Sequence, residues 1–282
     1  AIKIGIYEKA FSSADPGDIS VTMNVLMDSA RIDGRQPVIT TYRRKEQFVK
    51  ALMEEKIDLA PLETYQYLEI NEEVPLVAAL APIVEASPAY RFVLLSNRQQ
   101  DAGTIFKAKS TLTLLVEDRW SDPYAKHWLS QYLVETGPSS IEDFKKVTGV
   151  DKASKAVLPV FFNQHDLCVI TSGAYATMSE LNPQLSERVY VIATSRPYVT
   201  YAICLRKSLD AATQRRLIDQ LSTLHETENG RQILLMSKAS RLAKLEEKDL
   251  ESIKALAKYV REHEEPPVPT PALTQTLRDE HE

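Results

Sequence analysis

Two phrases of this chain place hydrogen-bonding side chains where a buried strand gives way to a helix. At Ala156–Leu185 an apolar helix runs to Asp166, then a short apolar strand (Leu167–Ile170), then Thr171-Ser172-Gly173, then another helix. At Gln47–Ile70 the same phrase recurs, with Asp58 in the place of Asp166, Ile57–Ala60 in the place of the strand and Leu62-Glu63-Thr64 in the place of the turn. Hydroxyls, a carboxylate and helix-start amides form hydrogen-bonding cradles rather than nucleophiles. Two such half-sites facing one ligand describe a binder better than a catalyst.

In an open parallel sheet, ligands lie beyond the C-terminal ends of the strands, where helix N-termini point into the crevice. That rule selects Tyr7 after the first strand, Glu63, Thr64 and Tyr65 after Ile57–Ala60, and Arg119, Trp120 and Ser121 after Leu112–Val116. It also selects Thr171, Ser172 and Tyr175 after Leu167–Ile170, and Ser195 and Arg196 after Val189–Ala193. Thr171-Ser172-Gly173 offers two hydroxyls at a helix start; an ordinary N-cap explains it equally, and the same holds for Ser121. Tyr65 and Trp120 suit flat ligand walls or plain packing. Arg119 and Arg196 are the cations for an anion, or solvated surface groups. Tyr90 begins an extended segment and reaches toward the same cleft. Glu63 and Glu117 repel an oxyanion and suit an amine-bearing or zwitterionic ligand, unless they face solvent.

Other chemistry finds little support. His165 and Asp166 precede their strand, at the edge away from the cleft. His127, His225, His263 and His281 show no metal spacing, and there is no GxSxG, HExxH, Walker loop or GxGxxG. No cofactor and no metal are expected.

The elements that must position these residues alternate. Strands are expected at Lys3–Tyr7, Val38–Thr41, Ile57–Ala60, Tyr90–Ser96, Leu112–Val116, Leu167–Ile170, Val189–Ala193 and Thr200–Leu205. Helices are expected at Val21–Arg31, Lys45–Glu55, Thr64–Ile70, Pro123–Glu135, Ser154–Asn163, Gly173–Leu181, Ala211–Glu226, Asn229–Met236 and Glu247–Glu264. Such alternation predicts an α/β protein with largely parallel sheets. Arg91–Thr104 and Ser195–Tyr201 read as crossings between two lobes. Residues 1–93 and 200–282 then form one lobe, with a mobile Pro-rich tail from about 265, and residues 94–199 the other.

With 282 residues there is length for two ordinary lobes. The net charge of −5, with both signs scattered, leaves no basic patch for nucleic acid. No apolar run approaches the roughly 18 residues of a membrane span. Cys168 and Cys204 sit in apolar strands of different lobes and read as buried free thiols. The start at Ala1, directly in a strand, reads as what remains once a secretory signal is removed; an arbitrary boundary explains it too.

The ordered series IKIGIYEKAF, KALMEEKIDLAPLETYQYL, SPAYRFVLLSN, TLTLLVEDRWSDPYAKHWL, AVLPVFFNQHDLCVITSGAYATMSELNPQL and ENGRQIL resembles the type II periplasmic substrate-binding proteins of ABC transporters, in their phosphate/phosphite/phosphonate branch. The resemblance covers about residues 1–260. It implies a two-lobe α/β fold of two mostly parallel sheets flanked by helices and joined by a two-strand hinge. It also implies a periplasmic monomer that captures a small polar, phosphonate-like ligand and delivers it to an inner-membrane permease. Phosphonate binders of this kind carry a Ser-Thr-Ser cluster after the strand that opens the second lobe; here Glu117-Asp118-Arg119-Trp120-Ser121-Asp122 stands there, and only Ser121 matches. Two other roles fit the same fold: a ligand-sensing domain of a membrane receptor or sensor kinase, and a cleft enzyme with Glu63 and Glu117 as acid and base.

Overall fold

The computed structural model describes residues 1–8, 36–84, 86–118, 123–137, 140–236 and 238–263. The helix expected at Val21–Arg31, the candidates Arg119, Trp120 and Ser121, and the tail from 265 lie outside them.

Two sheets form the frame. The first contains β1 (Lys3–Tyr7), β2 (Val38–Tyr42), β3 (Leu59–Glu63), β4 (Leu76–Ile83), β10 (Tyr201–Arg206) and β11 (Arg241–Lys244), in the order β11-β4-β10-β3-β1-β2. The second contains β5 (Phe92–Ser96), β6 (Thr113–Glu117), β7 (Lys146–Val150), β8 (Leu167–Thr171) and β9 (Tyr190–Thr194), in the order β7-β6-β8-β5-β9. Both are mixed rather than purely parallel. β1, β2 and β3 run parallel, and β10 inserts antiparallel between β3 and β4. β6, β7 and β8 run parallel, and β5 inserts antiparallel between β8 and β9. The run β2-β1-β3-β10-β4 therefore has the same order and directions as β7-β6-β8-β5-β9.

The repeated phrase is the core of that duplication. Asp58, just before β3, accepts the Lys3 amide at the start of β1 at 3.0 Å and the Arg206 guanidinium from the end of β10 at 3.0 Å. Asp166, just before β8, accepts the Thr113 amide at the start of β6 at 2.9 Å and the Arg98 guanidinium following β5 at 3.1 Å. Both aspartates tie three neighbouring strands at their far ends and stand away from any cleft. Just before β3, Ile57 packs closely on β1: a Cβ added at Gly5 would lie 2.6 Å from Ile57 Cδ1, so a larger residue there would displace the Ile57 side chain.

Strand alternation sends side chains to two faces. Ile4, Ile6, Leu59 and Leu205 pack under α8 (Ala211–Ser222) and α9 (Glu228–Met236). Leu95, Leu115, Cys168 and Ile170 pack under α5 (Ala153–Phe161) and α6 (Ser172–Leu181). The inner faces share one core, in which Phe48, Leu62 and Cys204 of the first sheet's layers join Phe92, Leu114 and Val169 of the second. Helices α1 (Lys45–Met53), α2 (Thr64–Glu73) and α4 (Tyr124–Thr136) contribute to it. The last described helix, α10 (Glu251–His263), buries Ile253 and Leu256 in this core, touches both α2 and α4, and pairs Arg261 with Glu72. Cys168 and Cys204 are buried and unbonded to each other, and burial raises both thiols.

The chain passes from β4 to β5 through residues 84–91 and from β9 to β10 through residues 195–200. These crossings run side by side: Tyr90 and Tyr198 exchange backbone hydrogen bonds at 2.9 and 2.7 Å. The first crossing comes earlier than Arg91–Thr104. Phe92–Ser96 is already an interior strand of the second sheet, and residues beyond it form the short helix α3 (Ala102–Lys107), capped by Asp101.

Candidate ligand-binding site

β3 and β8 are the middle strands of the matching five-strand runs, and each ends at a helix start. At β3 the last residue, Glu63, is 2% exposed and forms a capping box with Gln66, whose Oε1 accepts the Glu63 amide at 3.3 Å. Thr64 opens α2 fully buried; its amide donates to Thr200 O at 3.0 Å and its hydroxyl to Val199 O at 2.6 Å. The Tyr65 amide donates to the Tyr124 hydroxyl oxygen at 3.3 Å, and the Tyr124 hydroxyl donates to Thr200 O at 3.3 Å. The first-turn amides of α2 are thus all engaged by the protein itself: Thr64 by Thr200, Tyr65 by Tyr124, and Gln66 by the Glu63 carboxylate.

Tyr124 arrives from the other sheet, at the first position of α4. Its ring stacks on Tyr65 with centroids 4.5 Å apart, and its side chain is wholly buried. One turn further along α4, His127 Nδ1 lies 3.2 Å from the Tyr65 hydroxyl, the two rings 5.5 Å apart. Burial pushes the His127 imidazole down to about 4, with neighbouring Lys126 adding to the fall and Asp118 opposing it. The ring is therefore neutral at neutral pH.

At β8, the Thr171 hydroxyl caps α6 by accepting the Ala174 amide at 3.3 Å. The Thr171 amide donates to Glu117 Oε2 at 3.2 Å, so a buried carboxylate from the end of β6 stands at this helix start. The Ser172 amide donates to Arg91 O at 2.7 Å. Beyond β6 and β7 a cavity of about 500 Å³ opens where α4 begins, lined by Glu117, Asp118, Lys126, Glu142 and Lys146. Every residue lining it falls between residues 116 and 149, on or beside β6, β7 and the start of α4.

The remaining sequence-selected residues fall in different places. Tyr90 lies in the first crossing, bridged to Tyr198. Ser195 clamps the second crossing to β5: its hydroxyl accepts the Phe92 amide at 2.8 Å and donates to Arg196 O at 2.6 Å. Arg196 is exposed beside it. Tyr7 is buried and stacks on Phe48 at 5.5 Å. The Tyr175 hydroxyl donates to Val189 O at 2.5 Å, which ties α6 to the segment leading into β9. Tyr124, His127 and Thr200 were missed from sequence. The one local signal was Pro123 at a helix start, immediately before Tyr124.

A two-sheet frame with paired crossings, and helix starts at the C-terminal ends of both middle strands, is the architecture of a bilobal solute binder. Residues 20–250, most of the chain, match the family described as ABC transporter, phosphonate, periplasmic substrate-binding protein, and the chain belongs to that family. No curated protein sequence matches it. Among solved structures, it is similar to a binding protein component of an ABC phosphonate transporter from Pseudomonas aeruginosa, at 15% identity over 92% of this chain and 86% of that one, TM-score 0.57. PhnD1 from Prochlorococcus marinus in complex with methylphosphonate is 14% identical over 92% of this chain and 98% of that one, TM-score 0.58. A Xanthomonas citri protein bound to chloride ion is 12% identical over 93% and 97%, TM-score 0.59. These likenesses establish the fold. The family is one of transport solute-binding proteins that work with an ABC permease. Among the described residues no helix is long and apolar enough to cross a membrane.

Proposed function

We propose that this protein captures a small phosphonate-like oxyanion between two lobes and hands it, unaltered, to the permease of an ABC transporter in the inner membrane. The first sheet and its helices make one lobe, the second sheet and its helices the other, and residues 84–91 and 195–200 serve as the hinge. The observation that carries this reading is the duplicated frame: the middle strands β3 and β8 deliver the helix starts of α2 and α6 to corresponding positions in the two sheets. Helix-start amides bind oxyanions without needing a fixed cation. Glu63, Thr64 and Tyr65 act from one lobe, and Thr171 and Ser172 from the other, joined by Arg119, Trp120 and Ser121 from the segment before α4. Tyr90, Ser195 and Arg196 shape the hinge side. Tyr7 and Tyr175 support these elements from the packed layers. The protein works as a periplasmic monomer, without nucleic acid, metal or cofactor.

The buried carboxylates Glu63 and Glu117 bear on ligand choice, because an amine beside the phosphonate would complement them. Isothermal titration with methylphosphonate, an aminoalkylphosphonate and orthophosphate tests the reading, with 31P NMR following the bound ligand. Micromolar binding is expected, with the phosphorus resonance of the free ligand recovered unchanged once the protein is denatured and removed. No binding below millimolar by any of the three, or conversion of the one that binds, would overturn it.

A further inference from the structure

We propose that Tyr124 is an internal stand-in for the ligand: its hydroxyl occupies the amide at the start of α2 and so holds the two lobes together while the site is empty. The inference rests on the ligand site proposed above.

The geometry is that of a latch with two arms. The Tyr124 oxygen accepts the Tyr65 amide at 3.3 Å, which is where an oxyanion would sit on α2. Its proton goes to Thr200 O, an acceptor already shared with the Thr64 amide, at the point where the chain enters β10. One hydroxyl from the second lobe therefore satisfies both a donor of the first lobe and an acceptor at the end of the hinge. The stacked rings of Tyr65 and Tyr124 add apolar contact across the same gap, and His127 bears on the Tyr65 hydroxyl from behind. The other two first-turn amides of α2 are held by Thr200 of the hinge and by Glu63 of its own lobe, so the Tyr65 amide is the one that depends on the opposite lobe. A ligand oxygen gains that amide only by displacing Tyr124. The latch thus lowers apparent affinity by the fraction of molecules it holds shut, and it rejects ligands whose oxygen is no better an acceptor than a phenol.

Tyr124→Phe removes the hydroxyl and keeps the ring. Spin labels at Lys50→Cys and Lys155→Cys, both exposed and one on each lobe, read the inter-lobe distance in unliganded protein. The expected result is a longer, broader distance distribution in Tyr124→Phe, with the 1H–15N resonance of Tyr65 shifted and its amide exchanging faster. The variant should also bind methylphosphonate about three- to tenfold more tightly, the equivalent of one neutral hydrogen bond no longer displaced. An unchanged distance distribution and an unshifted Tyr65 amide overturn the latch. So does weaker methylphosphonate binding by the variant, which would make Tyr124 a ligand contact. If neither protein binds methylphosphonate, the aminoalkylphosphonate and orthophosphate titrations decide the ligand reading, and the unliganded distances and the Tyr65 amide still decide the latch.

Discussion

Replacing Asp58 by alanine should destabilise the protein by about 3 kcal/mol, and replacing Asp166 by alanine by only about 1–2 kcal/mol, although the two carboxylates hold corresponding three-strand junctions of the two sheets. The difference comes from burial. The Asp58 and Arg206 side chains are 7% and 10% exposed, against 23% and 49% for Asp166 and Arg98. Removing one partner of a buried ion pair strands the other, at about 3–5 kcal/mol. Here the lower end applies, because Glu55 still holds Arg206 at 2.6 Å. Without Asp166, half-exposed Arg98 turns to water, and a surface pair of that kind contributes about 0–1 kcal/mol. The Thr113 amide and hydroxyl, each 2.9 Å from Asp166 Oδ2, account for about another 1 kcal/mol. Urea unfolding followed by circular dichroism at pH 7 reads both. With a slope of about 3 kcal/mol/M, the Asp58→Ala midpoint should fall by about 1 M and the Asp166→Ala midpoint by about 0.3–0.7 M. Equal shifts, or a larger one for Asp166→Ala, would refute the assignment of the difference to burial. Asp58→Leu combined with Arg206→Met should recover part of the loss, since no charge is then stranded, although the Lys3 amide still lacks its acceptor.

Acid should loosen the molecule through His127. Its folded value of about 4 lies below the unfolded value of about 6.5, so the unfolded chain binds the proton more tightly. Stability from this group is complete above about pH 6.5 and is lost as pH falls toward 4; between pH 7 and pH 5 the loss is about 2 kcal/mol. Urea midpoints across that range should fall less steeply in His127→Gln, and identical slopes would sink the idea. Tyr175→Phe breaks the bond to Val189 O, so it should cost about 1 kcal/mol in urea unfolding and leave methylphosphonate affinity unchanged within twofold. A tenfold loss of affinity with unchanged stability would instead place that hydroxyl at the ligand.

How much of this was legible in the sequence depends on whether an element announces itself locally. β1, β5, β8 and β10 are apolar runs bounded by polar residues, and their expected spans match to within two residues. β4 was missed because LVAALAPI is rich in alanine and carries Pro82, with few of the β-branched residues that mark strands. β7, KVTGV, is an exposed edge with no apolar alternation, and β11 is only four residues long. The expected β3 stopped short at Ala60, because Pro61 reads as a break; β10 supports the strand through to Glu63 by pairing along its length. At the site, the helix starts after β3 and β8 were readable because the same phrase occurs twice. The meeting of Tyr65 with Tyr124 was not, since it joins residues 59 apart in the chain and has no local pattern.

The place of β10 has a consequence for the order in which the molecule can be made. The five strands of the second sheet fall in one unbroken stretch, residues 92–194, and that sheet can close as soon as the stretch has emerged. The first sheet cannot. β3 and β4 are near neighbours in the chain but not in space, and the strand between them arrives only at residues 201–206. Until then the growing chain holds β1, β2 and β3 with an open edge and β4 without a partner, a condition in which strands invite foreign pairing. The first three strands of the first sheet emerge before any strand of the second, yet the first sheet must close last, and a chaperone that guards the nascent chain would find its target in the open edge of β3.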